Sequence, residues 1–238
     1  LNLWRTISYI GTVRPYTILF TLAFVVLRTL CFAQPTSFVT ILQEESSQSS
    51  YDLIQATNGD YISVGEVRND SGTAVYIYLV RLDDIGDTVW TRTFMGTGYT
   101  GGQSVVQTSD GGFIIAGYDG TPMSGINIYL LKTDGDGIYQ WSKTVDAPFN
   151  QLGRDIAITS DGGFVVAGHT GSSTPGNIDV LLVKFNSNGD TLWSKTYGGL
   201  QNDYGYSVVQ SNDGGFVIAG SYDPGVFGSN ARLYLIKT

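Results

Sequence analysis

Four stretches decide how this chain folds: TNGDYISVG (57–65), SDGGFIIAG (109–117), SDGGFVVAG (160–168) and NDGGFVIAG (212–220). They are one segment written four times. Tyr61, Phe113, Phe164 and Phe216 hold the same slot in it, at spacings of 52, 51 and 52 residues. A period of that size points to an array of like units. An Asn-Gly or Asp-Gly pair opens each copy, and Gly accepts the positive φ that a tight hairpin turn needs. The run that follows is apolar at consecutive positions, the pattern of a strand buried on both faces.

Working outward, two more markers share this period. Trp90, Trp141 and Trp193 recur at spacings of 51 and 52, and Phe38 occupies the slot one period before Trp90. The apolar segments YLVR (78–81), YLLK (129–132), LLVK (181–184) and YLIK (234–237) each end on a basic residue. Each unit therefore reads as four strands: a Trp strand such as TLWSKTY (191–197), a strand of the SVVQ type (104–107, 207–210, with Asp155–Ile158 as counterpart), the GGFVIAG strand and the YLLK strand. Gly86, Gly137 and Gly189 stand four residues before each Trp and mark a second hairpin turn. Four antiparallel strands per unit with a doubly buried strand inside suit the stacked blades of a propeller. The expected fold is all-β, a β-propeller of four-stranded antiparallel blades in about four repeats of about 52 residues. An open β-solenoid has shorter repeats and lacks such hairpins. Phe38–Leu42 is expected to be a spare Trp-type strand that pairs with the final YLIK strand and closes the ring, or else further blades continue a larger propeller.

The N-terminal part differs. Arg5 and Arg14 precede a twelve-residue apolar run, Tyr16–Leu27, and Cys31-Phe32-Ala33 supplies the small residues of a cleavage site before Gln34. That order reads as a signal peptide over 1–33, with the repeat domain over 34–238. A secreted or cell-surface location follows, with no membrane span once the leader is cut. The chain has 238 residues, 14% charged, with 31 Gly and 15 Tyr and a net charge of −8. Arg5, Arg14 and Arg28 are the basic residues before Gln34 and no acidic residue precedes it, so the remainder carries −11. Such a surface disfavours nucleic acid as a partner. With Cys31 the one cysteine and His169 the one histidine, a disulfide, a Cys-ligated metal and a multi-histidine zinc site are excluded from the mature chain.

The motifs DGGFVVAG, NIYLLKTDGDG and TLWSKTYGG resemble the repeats of secreted bacterial β-propeller proteins of Bacteroidetes type, with quinoprotein-like (PQQ-like) repeats and often a type IX secretion sorting domain. The resemblance covers the chain after the leader and implies an extracellular propeller. It implies no fixed activity, although some relatives carry sugar-degradation labels. A quinone-dependent dehydrogenase of that kind often uses a vicinal cysteine pair, which this chain lacks.

No catalytic constellation is expected. Asp110, Asp161 and Asp213 recur at one position, but that position is a turn, where Asp serves the backbone. Asp134-Gly135-Asp136-Gly137 alternates carboxylates as calcium loops do, yet its counterparts NSNGD and DDIGD make it a hairpin. No metal or cofactor is therefore expected. In a four-stranded meander the short Asp-Gly turns fall on one face and the long variable loops on the other. Variable loops on a rigid scaffold carry recognition. They hold Tyr99, Tyr118, Phe149, His169, Tyr204, Tyr206, Tyr222 and Phe227. Loop aromatics with nearby Asp and Asn can stack on sugars or anchor a protein. The expected function is a monomeric, non-catalytic binding scaffold for a glycan or an extracellular protein. The alternative is an accessory domain of a larger secreted polysaccharide-degrading enzyme.

Overall fold

Each repeat becomes one antiparallel meander in the computed structural model, which describes residues 38–40, 42, 47–69, 71–121, 123–145, 147, 149–171, 178–222 and 231–238. The chain divides between Phe38 and Val39, and the sheets belong to Val39–Thr238. The expected leader, with Cys31 and the expected cleavage site, lies outside the described residues, as does Phe227.

The first sheet holds β1 (Gln48–Gln55), β2 (Tyr61–Arg68), β3 (Val75–Leu82) and β4 (Thr88–Phe94). The second holds β5 (Tyr99–Gln107), β6 (Phe113–Thr121), β7 (Gly125–Thr133) and β8 (Tyr139–Thr144). The third holds β9 (Gln151–Ile158), β10 (Phe164–Gly171), β11 (Ile178–Phe185) and β12 (Thr191–Tyr197). The fourth holds β13 (Asp203–Gln210), β14 (Phe216–Tyr222) and β15 (Arg232–Lys237). Neighbouring strands within each sheet pair antiparallel, and a single parallel bridge, Val75 to Tyr99, touches the first sheet to the second. The described residues include no helix.

The Trp strand pairs with the YLLK strand before it, across the expected hairpin: Trp90 pairs with Arg81, Trp141 with Lys132 and Trp193 with Lys184. The tight turns at Gly86, Gly137 and Gly189, at φ of 93°, 72° and 77°, join these strands. The chain therefore steps between sheets after the Trp strand. One expectation needs correction: Phe38–Leu42 has no strand among its described residues and no ladder to β15. Instead Thr40 Oγ1 donates to the Gly86 carbonyl, and Leu42 packs on Val67, Tyr78 and Val80. Leu42 thus covers part of an outer apolar face of the first sheet.

The sheets stack face to face, so the central strands bury both sides. Ile62, Val64, Ile77 and Leu79 of the first sheet pack against Val105, Phe113, Ile115 and Leu131 of the second. The same slots recur as Ile114, Ala116, Ile128 and Leu130, and as Val165, Ala167, Val180 and Leu182, all without exposed surface. Each such Leu or Ile stabilises by about 1.5–3 kcal/mol. In the fourth sheet the equivalent Leu233 and Leu235 are 78% and 62% exposed.

The innermost strands β1, β5, β9 and β13 face one another, and their free edges are capped by side chains of one slot. Asp52 Oδ2 accepts from Ser104 Oγ at 2.8 Å and from the Val105 amide at 2.9 Å. Asp155 Oδ1 accepts from Ser104 Oγ, and its Oδ2 from Ser207 Oγ and the Val208 amide at 2.7 Å. Just before this slot each inner strand carries a bulge. Register skips one residue between Ser50 and Asp52, Gly102 and Ser104, Gly153 and Asp155, and Gly205 and Ser207. The skipped residues are Tyr51, Gln103, Arg154 and Tyr206.

Candidate functional site

A bulge re-aims its extra side chain, and bulges gather beside functional sites. Here the bulged slot is constant but its content changes from one repeat to the next: Tyr in the first and fourth, Gln103 in the second and Arg154 in the third. A second slot behaves alike: the residue after the repeated Gly is Glu66, Tyr118, His169 or Ser221. The two slots adjoin at the ends of the strands that face the long loops. Between the first three sheets they line a cavity of about 470 Å³, with Tyr51, Glu66, Arg68, Tyr99, Gln103, Tyr118, Leu152 and Arg154 in its wall.

Its centre is Glu66, a carboxylate only 6% exposed. Tyr118 Oη donates to Glu66 Oε1 at 2.6 Å, Tyr51 Oη to Oε2 at 3.4 Å, and Gln103 Nε2 to Oε1 at 3.5 Å. Arg154 Nη1 donates in turn to Gln103 Oε1 at 2.8 Å. Burial first, and then the Glu66 carboxylate, push the Tyr118 phenol well above its usual range. The Tyr51 phenol is raised by the same two causes. Both phenols therefore stay protonated and hold their hydrogens toward Glu66.

His169 sits beyond the cavity wall, edge-on to Tyr204 at 5.1 Å, and Tyr204 stacks on Tyr206 at 6.3 Å. Burial, and then the charge of Arg154, lower its pKa to about 4. The imidazole is neutral at neutral pH. Its Nδ1 and the Nε of Arg154 are both shut off from solvent without a partner among the described residues.

The sequence-picked residues thus divide. Tyr99 and Tyr118 line the cavity. His169, Tyr204 and Tyr206 form the neighbouring aromatic group. Tyr222 packs on Tyr234 at a separate site between β14 and β15, and Phe149, 39% exposed, is absent from the cavity wall. Their expected place on loops is corrected: Tyr99, Tyr118, His169, Tyr204, Tyr206 and Tyr222 all lie in strands, because the SVVQ and GGF strands run several residues beyond their repeated cores. Glu66, Tyr51, Gln103 and Arg154 escaped the sequence reading. The signal that finds them is a constant slot with changing content, once the repeats are aligned to the strands.

The opposite end of the sheets is scaffold. The basic end of each YLLK strand pairs with the turn carboxylate of the adjoining hairpin. The pairs are Arg81–Asp60 at 2.6 Å, Lys132–Asp110 and Lys184–Asp161 at 3.0 Å, and Lys237–Asp213 at 2.9 Å. A threonine hydroxyl (Thr108) first, and then Lys132 and the Gly112 amide, bring Asp110 down to about 2. Asp134 Oδ1 accepts from the Asp136 and Ile138 amides, so this carboxylate folds its own hairpin.

Chemically, the cavity offers phenol rings, one carboxylate, a primary amide and two guanidinium groups. Among the described residues, Glu66 is the carboxylate in this wall.

No protein-family profile matches the chain. It is 24% identical over 159 residues to the regulatory protein FlaEY of Caulobacter vibrioides, covering 57% of this chain and 17% of that protein. Among solved structures it is similar to the Penicillium chrysogenum α-L-arabinanase complexed with arabinobiose, with a TM-score of 0.56 and 16% identity over 79% of this chain and 62% of the other. A thermostable family-43 glycoside hydrolase aligns with a TM-score of 0.49 at 9% identity, covering 79% of this chain and 67% of that one. The arabinanase likeness supports a propeller-type all-β fold, and at that identity nothing finer. The chain spans less than a fifth of FlaEY and under two thirds of the arabinanase.

Proposed function

We propose that this chain is an extracellular, non-catalytic propeller domain that binds a glycan in the cavity around Glu66. One observation carries the reading: two constant slots of a repeated scaffold diverge in identity and converge on one open cavity. Scaffold slots that vary together at one place are where a repeat protein adapts to a ligand. The chemistry suits sugars. The rings of Tyr51, Tyr99 and Tyr118 offer faces for C–H stacking, while Glu66 and Gln103 offer acceptors and donors to hydroxyls. Such a site is concave and partly apolar, with few convergent polar groups.

The likeness to an arabinanase favours a second role for the same cavity, as an accessory glycan site within a larger secreted polysaccharide-degrading protein. Both readings share one test. The domain is passed over immobilised arabinan, galactan and a glycan array. Retention that is lost in Tyr118→Ala, with the melting profile kept, is the expected result. Failure of every glycan to retain the wild-type domain refutes the proposal. Release of free sugars, abolished by Glu66→Gln, would replace binding by catalysis.

A further inference from the structure

The chain after residue 33 carries −11, yet two of its cations that hold no ion pair among the described residues, Arg68 and Arg154, line the cavity. Arg81, Lys132, Lys143, Lys184 and Lys237 hold ion pairs with aspartates. Arg92 and Lys195 lie over the rings of Trp90 and Trp193. Of the remaining basic side chains among the described residues, Arg232 lines the separate site beside Tyr222, while Arg68 and Arg154 both line the cavity around Glu66. Arg154 is the less usual of the two. It spends one nitrogen on Gln103, and its Nε is buried with no partner. A buried guanidinium N–H left unmatched costs stability unless something fills it.

Glu66 does not neutralise this pair. Its oxygens already accept from Tyr118, Tyr51 and Gln103, and neither arginine forms an ion pair with it among the described residues. The wall thus carries two positive groups against one buried, hydrogen-bonded carboxylate. His169 adds no charge, being neutral, and no other histidine exists in the chain.

We infer that the cavity takes an acidic sugar, a uronic-acid residue whose carboxylate is held by Arg154 and Arg68 while its ring lies on the tyrosines. The inference rests on the glycan reading above and narrows it to one ligand class. A planar carboxylate matches the fork of a guanidinium, and a charge-assisted bond of this kind is about twice as strong as a neutral one.

The test uses the full chain with three probes of equal length: a galacturonate oligosaccharide, the same oligosaccharide with its carboxyl groups reduced to alcohols, and polyglutamate. Affinities are measured by calorimetry at two salt concentrations. Expected are preference for the galacturonate over its reduced form by at least about tenfold, and loss of about thirtyfold in Arg154→Gln for the acidic probe alone. Arg68→Gln, on an exposed side chain, is expected to give a smaller loss with greater salt sensitivity, and it keeps the test valid if Arg154→Gln unfolds. Equal binding of the acidic and reduced sugars, unchanged in both variants, overturns the inference and leaves the glycan reading standing. Equal binding of polyglutamate also overturns it, since the site would then read charge without sugar. Failure of all sugars to bind the wild type removes the reading on which it rests.

Discussion

His169 shows how much a single residue owes to its surroundings. In sequence it is a histidine after a repeated Ala-Gly; in the fold it is packed edge-on to Tyr204 with Arg154 nearby. Desolvation and a like charge both disfavour the imidazolium, and they lower its pKa to about 4. The folded form therefore binds fewer protons than the unfolded chain between the ordinary value of 6.5 and about 4. This residue's contribution to stability is full above pH 6.5 and declines as pH falls through that window. Since the chain has one histidine, its ring protons are directly readable by NMR. Their titration midpoint should lie near 4; a midpoint near 6.5 would show the ring to be solvated. The same scale explains the basic residue at the end of each YLLK strand. It is the partner of the turn aspartate, so two sequence markers are two halves of one ion pair.

At the scale of the element, the bulge is the decisive device. Gly65, Gly117, Gly168 and Gly220 stand opposite it, and a Cβ on any of them would run into a carbonyl oxygen of the inner strand: Ser49, Gly101, Leu152 and Tyr204 respectively. The repeated Gly is thus required by close backbone approach across the pair, which lets the inner strand buckle and present its extra residue. Gly168→Ala should destabilise by about 1–3 kcal/mol in urea titration, a cost of the kind that overpacking brings. It should also disturb Arg154, which the bulge aims. The Trp strands illustrate the other element rule. A Cβ on Gly137 would sit 2.8 Å from the Trp90 ring, and Gly189 meets Trp141 in the same way, so Trp90 and Trp141 each rest on the turn of the following sheet.

For the molecule as a whole, the sheets are tied through their inner edges. Asp155 accepts from Ser104 in the sheet before it and from Ser207 and Val208 in the sheet after it. One carboxylate therefore links three sheets, and its removal strands the Val208 amide. Asp155→Ala is expected to cost about 2–3 kcal/mol, the loss of a charged acceptor that serves several donors. Asp161→Ala, at an exposed turn, is expected to cost about 1 kcal/mol. Chemical denaturation of both variants checks the order, and an Asp155 change no worse than the Asp161 change would deny the inner edge its structural role.

Strand identity, turn positions and the repeat were legible in the chain itself. They depend on local chemistry: Gly at positive φ, Asp folding back on its own turn, and apolar runs that need two buried faces. The repeated aspartates and glycines announce scaffold for the same reason. Tertiary structure alone decided two things. It laid Leu42 over the first sheet instead of pairing Phe38–Leu42 with β15. And it brought Tyr51, Glu66, Gln103, Tyr118 and Arg154, up to a hundred residues apart, onto one cavity. Those outcomes depend on register, on a one-residue bulge and on which face meets which sheet. These are long-range matters of packing, and the residues that gather there are the ones the repeat does not repeat.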